Sequence, residues 1–214
     1  MNKISITNLE KARMNPSKFG KSMLDGTLSS GAFMGRPKSM KWHDAVMEYH
    51  HTNDISKATM RLENSFSHRK DTAKNRKEVE SLIIALDTYV NEYTEKGFIY
   101  FDKTINIDKQ LSPKIRLSGW IWLLNMKSTG GYAGYIISKK VDTHNWMLEL
   151  RFPIIQDYIA NTLYGCQIAD VDVGVIDYTT GNHFTIKYSQ EDIDEALTEL
   201  NEISVTINNI LNKQ

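Results

Sequence analysis

The sequence predicts an α/β protein, a three-layer sandwich in which helices cover both faces of a mixed central β-sheet. Helical periodicity dominates residues 1–96, three strand-like segments then follow one another closely, and a helical stretch separates them from a hairpin and a last helix. Closely spaced strands favour an antiparallel meander, whereas strands joined through a helix favour parallel pairing. The sheet should therefore be mixed, which argues against a doubly wound parallel fold.

The region 1–96 is predicted to be mostly helical. Its opening, "ITNLEKARMNPSKFGKSML", contains two short helices, with Thr7 capping the first and Asn15, followed by Pro16, capping the second. Longer helices are predicted at about 41–51, 54–65 and 72–95. The last has apolar residues at three- and four-residue spacing, namely Val79, Leu82, Ile83, Leu86, Val90 and Tyr93.

The region 97–214 is predicted to hold the sheet core, and we expect residues 1–214 to form one domain. Strands are predicted near 98–107, 114–127 and 131–140, followed by a crossover helix with Pro153 near its start. A hairpin turning at 179–182 comes next. The last helix, 190–212, opens with Ser189 and Asp192 in capping-box spacing.

Composition indicates a cytoplasmic protein without membrane contact. No apolar run approaches the ~20 residues of a membrane span, and the opening residues lack the basic-then-apolar pattern of a signal peptide. The single cysteine, Cys166, excludes an internal disulfide and a multi-cysteine metal site.

Charge is distributed unevenly although the net charge is zero. Residues 1–140 carry 23 Lys and Arg against 14 Asp and Glu, while residues 141–214 carry 3 against 12. This polarity favours a basic face for a polyanion and an acidic face for a protein partner, although both can simply be solvated surface.

Several motifs, taken in order, resemble the RecB-like branch of the PD-(D/E)XK nuclease superfamily. "ISITNLEKARMNPSKF" is similar to that branch's first helix, "SxTxLExxxxCPxxF", with Asn15 at the cysteine. "RLSGWIW" corresponds to "xxGxxD", and "YIISKK" to "vvDxK". "PIIQDYIA" resembles the QxxxY helix, with Gln156 at the glutamine and Ala160 at the tyrosine. The resemblance implies a nuclease-like fold over nearly the whole chain.

The resemblance also implies where metal-binding acids should lie, and they are missing. The first acid corresponds to Trp122 and the second to Ile137, or to Ser138 after a one-residue shift, with Lys139 as the motif lysine. Because Mg²⁺ prefers hard anionic oxygen ligands, neither position replaces a carboxylate. We therefore expect no metal and no cofactor, with Trp122 filling the space of the lost site.

Relocated acids are the alternative that would restore Mg²⁺ or Mn²⁺ catalysis. Glu149 acting with Lys139 is the best candidate, and Asp102, Asp108 and Asp142 also lie near the predicted strands. The structural alternative is that Glu149 and Arg151 fix the entrance of the crossover helix.

Candidate nucleic-acid ligands fall into two groups. The resemblance implies that Lys139, Lys140 and Gln156 contact the DNA backbone. The alternative is that the two lysines are solvated and that Gln156 is a buried, hydrogen-bonded amide. Charge assigns a second group, Arg69, Lys70, Lys74 and Arg76, to weak, sequence-independent DNA binding.

Smaller assignments concern histidines and tryptophans. His43, His50 and His51 are predicted to be partly exposed helix residues rather than metal ligands. Trp120 and Trp122 are assigned to alternating faces of their strand, with a base-stacking platform as an alternative for Trp122.

Three functions follow. The leading prediction is a non-catalytic nuclease-fold subunit that binds DNA or acts as a scaffold in a bacterial hetero-complex, which the resemblance places in antiviral defence or DNA processing. The alternatives are a divergent metal-dependent deoxyribonuclease and a pure protein-interaction subunit.

Overall fold

The structure is a computed structural model, and it describes residues 1–28, 36–139 and 145–212, without the side chains of residues 102 and 103. The predictions made for Lys140, Asp142 and the carboxylate of Asp102 lie outside this described part. Within it, no helix is long and apolar enough to cross a membrane.

Seven α-helices are described, and they match the predicted ones closely. They are α1 Leu9–Met14, α2 Pro16–Leu24, α3 Lys38–Thr52, α4 Ile55–Phe66, α5 Ala73–Glu95, α6 Arg151–Asp157 and α7 Gln190–Leu211. A π-helical stretch, Tyr158–Tyr164, continues α6.

The predicted helix starts are partly confirmed. The Asn15 side chain accepts a hydrogen bond from the Lys18 N–H and precedes Pro16, and Ser189 and Asp192 form the capping box of α7. The prediction for Thr7 is wrong, because Asn8 precedes α1 and its side chain makes no capping bond.

The described part of the chain contains six strands, which form one mixed sheet. They are β1 Asn2–Ser5, β2 Phe98–Ser112, β3 Ile115–Lys127, β4 Tyr132–Ser138, β5 Val171–Asp177 and β6 His183–Ile186. β2, β3 and β4 form the predicted antiparallel meander, α6 leads to β5 parallel to β4, and β6 returns antiparallel to β5. Sequence reasoning missed β1, which pairs with β3 in parallel.

Strand β3 has one neighbour on one edge and two on the other. β2 pairs along nearly its whole length. On the opposite edge, β1 pairs with Ile115–Ser118 and β4 pairs with Leu123–Met126. Residues 119–122 therefore lie at a fork between β1 and β4, and this fork positions the candidate site.

Helices cover the two faces of the sheet around separate cores, which confirms the three layers. On one face, α3, α4 and α5 pack on strand residues that include Leu123, Tyr135 and Ile176. On the other, α1, α2, α6 and α7 pack on residues that include Ile107, Leu117 and Val173.

Candidate nucleic-acid interface

A cleft of about 440 Å³ opens at the fork between β1 and β4. One wall consists of Lys3, Ser5 and Thr7, from β1 and the turn that follows it. Trp120 and Trp122 of β3 contribute the centre, and the end of β4 and Arg151 contribute the rest. We refer to this feature as the fork cleft.

Ser138, the alternative for the second missing acid after a one-residue shift, ends β4 and lies outside the described lining of the fork cleft. Trp122 and Ile137, which correspond to the two missing acids without that shift, both line the fork cleft. Neither side chain carries an oxygen atom, so these two positions do not fit Mg²⁺. Among residues 1–28, 36–139 and 145–212, no group of three or more His, Cys, Asp and Glu side chains is placed to hold a metal ion.

Glu149, the candidate for a relocated acid, forms an ion pair with Arg151 instead of approaching Lys139 in the described contacts. Glu10 of α1 accepts a hydrogen bond at 2.7 Å from the N–H of Leu150, the residue between Glu149 and Arg151. Burial lowers the pKa of Arg151, and the charges of Glu149 and Glu10 oppose that shift. Since α6 begins at Arg151, the ion pair and the hydrogen bond fix the start of the crossover helix, as the structural alternative predicted.

His43 of α3 contacts Trp122 of β3 through its ring and through a hydrogen bond. The His43 ring lies edge-on to the indole, with centroids 5.0 Å apart, and its Nε2–H donates to the Trp122 carbonyl at 3.0 Å. Burial lowers the pKa of His43, so the ring is neutral at pH 7. The prediction that His43 is partly exposed is wrong, because it is buried between α3 and β3.

His50 is half-buried on α3, which agrees with the prediction that it is a partly exposed helix residue. Its Nε2 lies 2.6 Å from the Tyr89 hydroxyl and its ring stacks on Tyr100. Burial lowers the pKa of His50 to about 3.

Gly119 allows the turn after β1 to lie directly against β3. A Cβ atom at this position would come within 2.4 Å of Ile6 Cγ2 and 2.8 Å of Ile6 Cβ. The glycine of "RLSGWIW" is therefore required for packing, and it lets Ser5 and Thr7 reach the fork cleft.

The lysine and glutamine assigned to the DNA backbone do not meet in the described structure. Lys139 is exposed just after β4 and lies outside the described lining of the fork cleft. Gln156 is fully buried. Its amide donates to the Ile168 and Tyr188 carbonyls at 3.1 and 3.0 Å and accepts from the Tyr188 N–H at 2.8 Å. The buried, hydrogen-bonded amide is thus the alternative that the geometry supports.

The four basic residues predicted from charge to bind DNA are close together in the chain, in the α4–α5 connection and the first turn of α5. We refer to them as the basic turn: Arg69, Lys70, Lys74 and Arg76. Arg69 pairs with Glu78 at 3.3 Å and Arg76 with Asp71 at 2.5 Å. Lys70 and Lys74 are exposed. Arg69, Lys70 and Arg76 of the basic turn border a groove of about 510 Å³ between α4 and α5.

Part of the positive charge near the basic turn is already balanced by Glu78. Burial alone would raise the pKa of Glu78, but its ion pairs with Lys38 and Arg69 outweigh burial and lower it. Among the described ion pairs, Lys70 and Lys74 are therefore the members of the basic turn whose charge no carboxylate balances.

The acidic residues of the C-terminal third concentrate on one face of α7. Glu191, Asp194, Glu195, Glu199 and Glu202 border a shallow groove. Arg13 of α1 binds the Glu199 carboxylate through two nitrogens, at 2.7 and 2.9 Å. The opposite face of α7, including Leu200 and Ile207, packs in the core.

Sequence reasoning missed two features of the fork cleft. It assigned Trp120 and Trp122 to alternating faces, but both line the same cleft, because residues two apart on a strand share a face. It also missed Lys3, Ser5 and Thr7, whose position depends on the unpredicted strand β1.

Comparison with known proteins shows the fold alone. No family model and no curated protein matches the chain. A solved structure from Eubacterium rectale, described as a "putative exonuclease", matches 99% of this chain and 82% of its own, with a TM-score of 0.50 and 12% identity. Another, described as SSO0001, matches 90% of this chain and 86% of its own with 10% identity and a TM-score of 0.33, which is too low to indicate a shared fold.

Proposed function

We propose that this protein is a non-catalytic member of the RecB-like PD-(D/E)XK group that binds DNA weakly and without sequence preference. The observation that carries the proposal is the fork cleft, where Trp122 and Ile137 lie at the positions that correspond to the two metal-binding acids. The sheet order supports the assignment to this group: an antiparallel meander, a crossover helix to a parallel strand, and a closing hairpin.

Basic residues at the end of β4 and on the basic turn support the DNA-binding part of the proposal. Lys139 follows β4 at the end of the sheet where the fork cleft opens, and the basic turn lies in the same helical layer as His43, which contacts Trp122. Surface cations of this kind bind phosphates without reading base sequence.

The test of inactivity is a cleavage assay on linear, circular and single-stranded DNA with Mg²⁺ or Mn²⁺. We expect no cleavage. Cleavage that persists through purification and disappears in Glu149→Gln would overturn the proposal and support a divergent nuclease. Asp194→Asn, on the acidic face of α7 and distant in sequence from the fork, is the matched control for loss of one carboxylate.

We further propose that the protein works in a hetero-complex of antiviral defence or DNA processing, with the acidic face of α7 turned toward a basic partner. Complementary charge would speed and orient that association. Native co-purification followed by mass spectrometry tests this, with a variant in which Glu191, Glu195 and Glu202 become glutamine as the comparison. Recovery of a lone monomer from native cells would contradict the complex.

A further inference from the structure

We propose that the fork cleft binds unpaired bases of a single-stranded nucleic acid, with Trp120 and Trp122 as the stacking surface. This inference rests on the proposed DNA binding and specifies the form bound. It starts from Trp120, which is 50% exposed although tryptophan is highly buried on average.

Both tryptophans belong to a strand whose backbone is fixed by pairing with β2. Trp122 packs against the core and is hydrogen-bonded through its carbonyl to His43, while Trp120 lies opposite Asn106 of β2. Because the platform lies on a sheet rather than on a loop, little conformational entropy is lost when a base stacks on it.

The spacing of the two strand positions suits bases. Residues two apart on a strand are separated by about 6.8 Å. This is about twice the ~3.4 Å rise per nucleotide of a stacked DNA strand. The strand geometry therefore accommodates one base between the rings or one base on each.

Polar groups around the indoles suit a sugar–phosphate backbone. Lys3 is exposed at the wall of the fork cleft, and the hydroxyls of Ser5 and Thr7 lie 3.0 Å apart beside it. No carboxylate is among the lining residues that the structure describes. Two described carboxylates close to the lining residues are paired with cations, Glu149 with Arg151 and Asp108, opposite Ser118, with Arg116 at 2.6 Å.

A single strand fits this chemistry better than a duplex. In a duplex the faces of the bases are covered by their neighbours, so an indole reaches them only after unstacking. In a single strand every base offers an open face, and stacking on aromatic side chains tolerates any sequence.

The experiment compares Trp120→Ala with wild type in fluorescence-anisotropy titrations. The probes are an oligothymidylate of about 20 nucleotides, longer than the ~4–16 nucleotides that one OB fold covers, and a duplex of the same length. We expect the alanine variant to lose about 5- to 150-fold in affinity for the single strand, the equivalent of ~1–3 kcal/mol per stacked base. Affinity for the duplex should change less than about twofold, and Trp120→Phe should keep most single-strand binding because an aromatic ring remains.

Phe101→Ala is the matched control. Phe101 is 46% exposed on β2 but packs with Tyr132 and Tyr164, outside the described lining of the fork cleft. Equal affinities for the single strand in Trp120→Ala and Phe101→Ala would overturn the stacking proposal and leave DNA binding intact. If wild type binds neither probe at low salt, both the proposed DNA binding and this inference fail.

Discussion

Replacing Gln156 by leucine removes an amide that joins α6 to two other segments. The side chain contacts the backbone before β5, at Ile168, and the backbone before α7, at Tyr188. Leucine has a similar volume but would leave one N–H and two carbonyl groups without their partner. Each polar group that loses its partner on burial costs about 1–3 kcal/mol, so three groups cost at most about 9 kcal/mol. Because Ile168 and Tyr188 are only half-buried, we expect the lower part of that range, a fall of about 3–5 kcal/mol in the free energy of unfolding.

Urea unfolding followed by circular dichroism measures this change. With a denaturant slope of about 2–3 kcal/mol/M, the midpoint should fall by about 1–2 M. Gln167→Leu is the matched control because Gln167 is exposed, and its unfolding free energy should stay within about 0.5 kcal/mol of wild type. Equal midpoints for the two variants would refute the structural role. Loss of DNA binding in a Gln156→Leu protein that is still folded would show instead that the amide contacts DNA.

Three further perturbations test the packing, the titration and the charge of the protein. Gly119→Ala should lower the free energy of unfolding by about 1–3 kcal/mol, because the added Cβ would clash with Ile6. In a protein that already carries Ile6→Ala, the same glycine change should cost less than it does in wild type. A double-mutant cycle measured by urea unfolding tests this. The pKa of His50 is about 3 in the folded protein and ~6.5 in the unfolded chain. As pH falls below ~6.5, the unfolded chain therefore binds a proton on His50 that the folded protein does not. The free energy of unfolding should then fall by about 1.4 kcal/mol per pH unit. His50→Phe should therefore lose less stability than wild type between pH 7.5 and 5.5, and an equal loss would exclude this cause. Charge reversal of the basic turn should flatten the slope of log DNA affinity against log salt concentration by about 2, mostly through its two exposed lysines. Charge reversal at Lys18 and Lys21 of α2, in the opposite helical layer, is the control and should leave the slope unchanged.

Local sequence patterns predicted the elements whose stabilising contacts are nearby in the chain. α5 and α7 were predicted within a few residues because each combines an apolar stripe with caps at its own ends. The order of β2 to β6 followed from the alternation of short strands and one helix. Such patterns are local, and their physical causes lie in the same segment.

The parts that sequence reasoning missed depend on distant neighbours. β1 has only four residues and gains its hydrogen bonds from residues 115–118. The burial of His43 depends on Trp122, which belongs to another layer. Gln156 was placed on the correct helix, but its hydrogen bonds come from two segments that follow it. These positions were set by tertiary contacts that periodicity does not contain.

The parallel pairing of β1 with β3 has a kinetic consequence. β1 meets its partner across about 110 intervening residues, and the entropic cost of closing a loop increases with its length. The β2–β3 and β3–β4 hairpins close far shorter loops, so they should form first and β1 should join the sheet late. Because Lys3, Ser5 and Thr7 form one wall of the fork cleft, that wall should be the last part to assemble and the first to open. The amides of β1 should accordingly exchange hydrogen faster than those of β3, and a ligand seated in the cleft should slow their exchange.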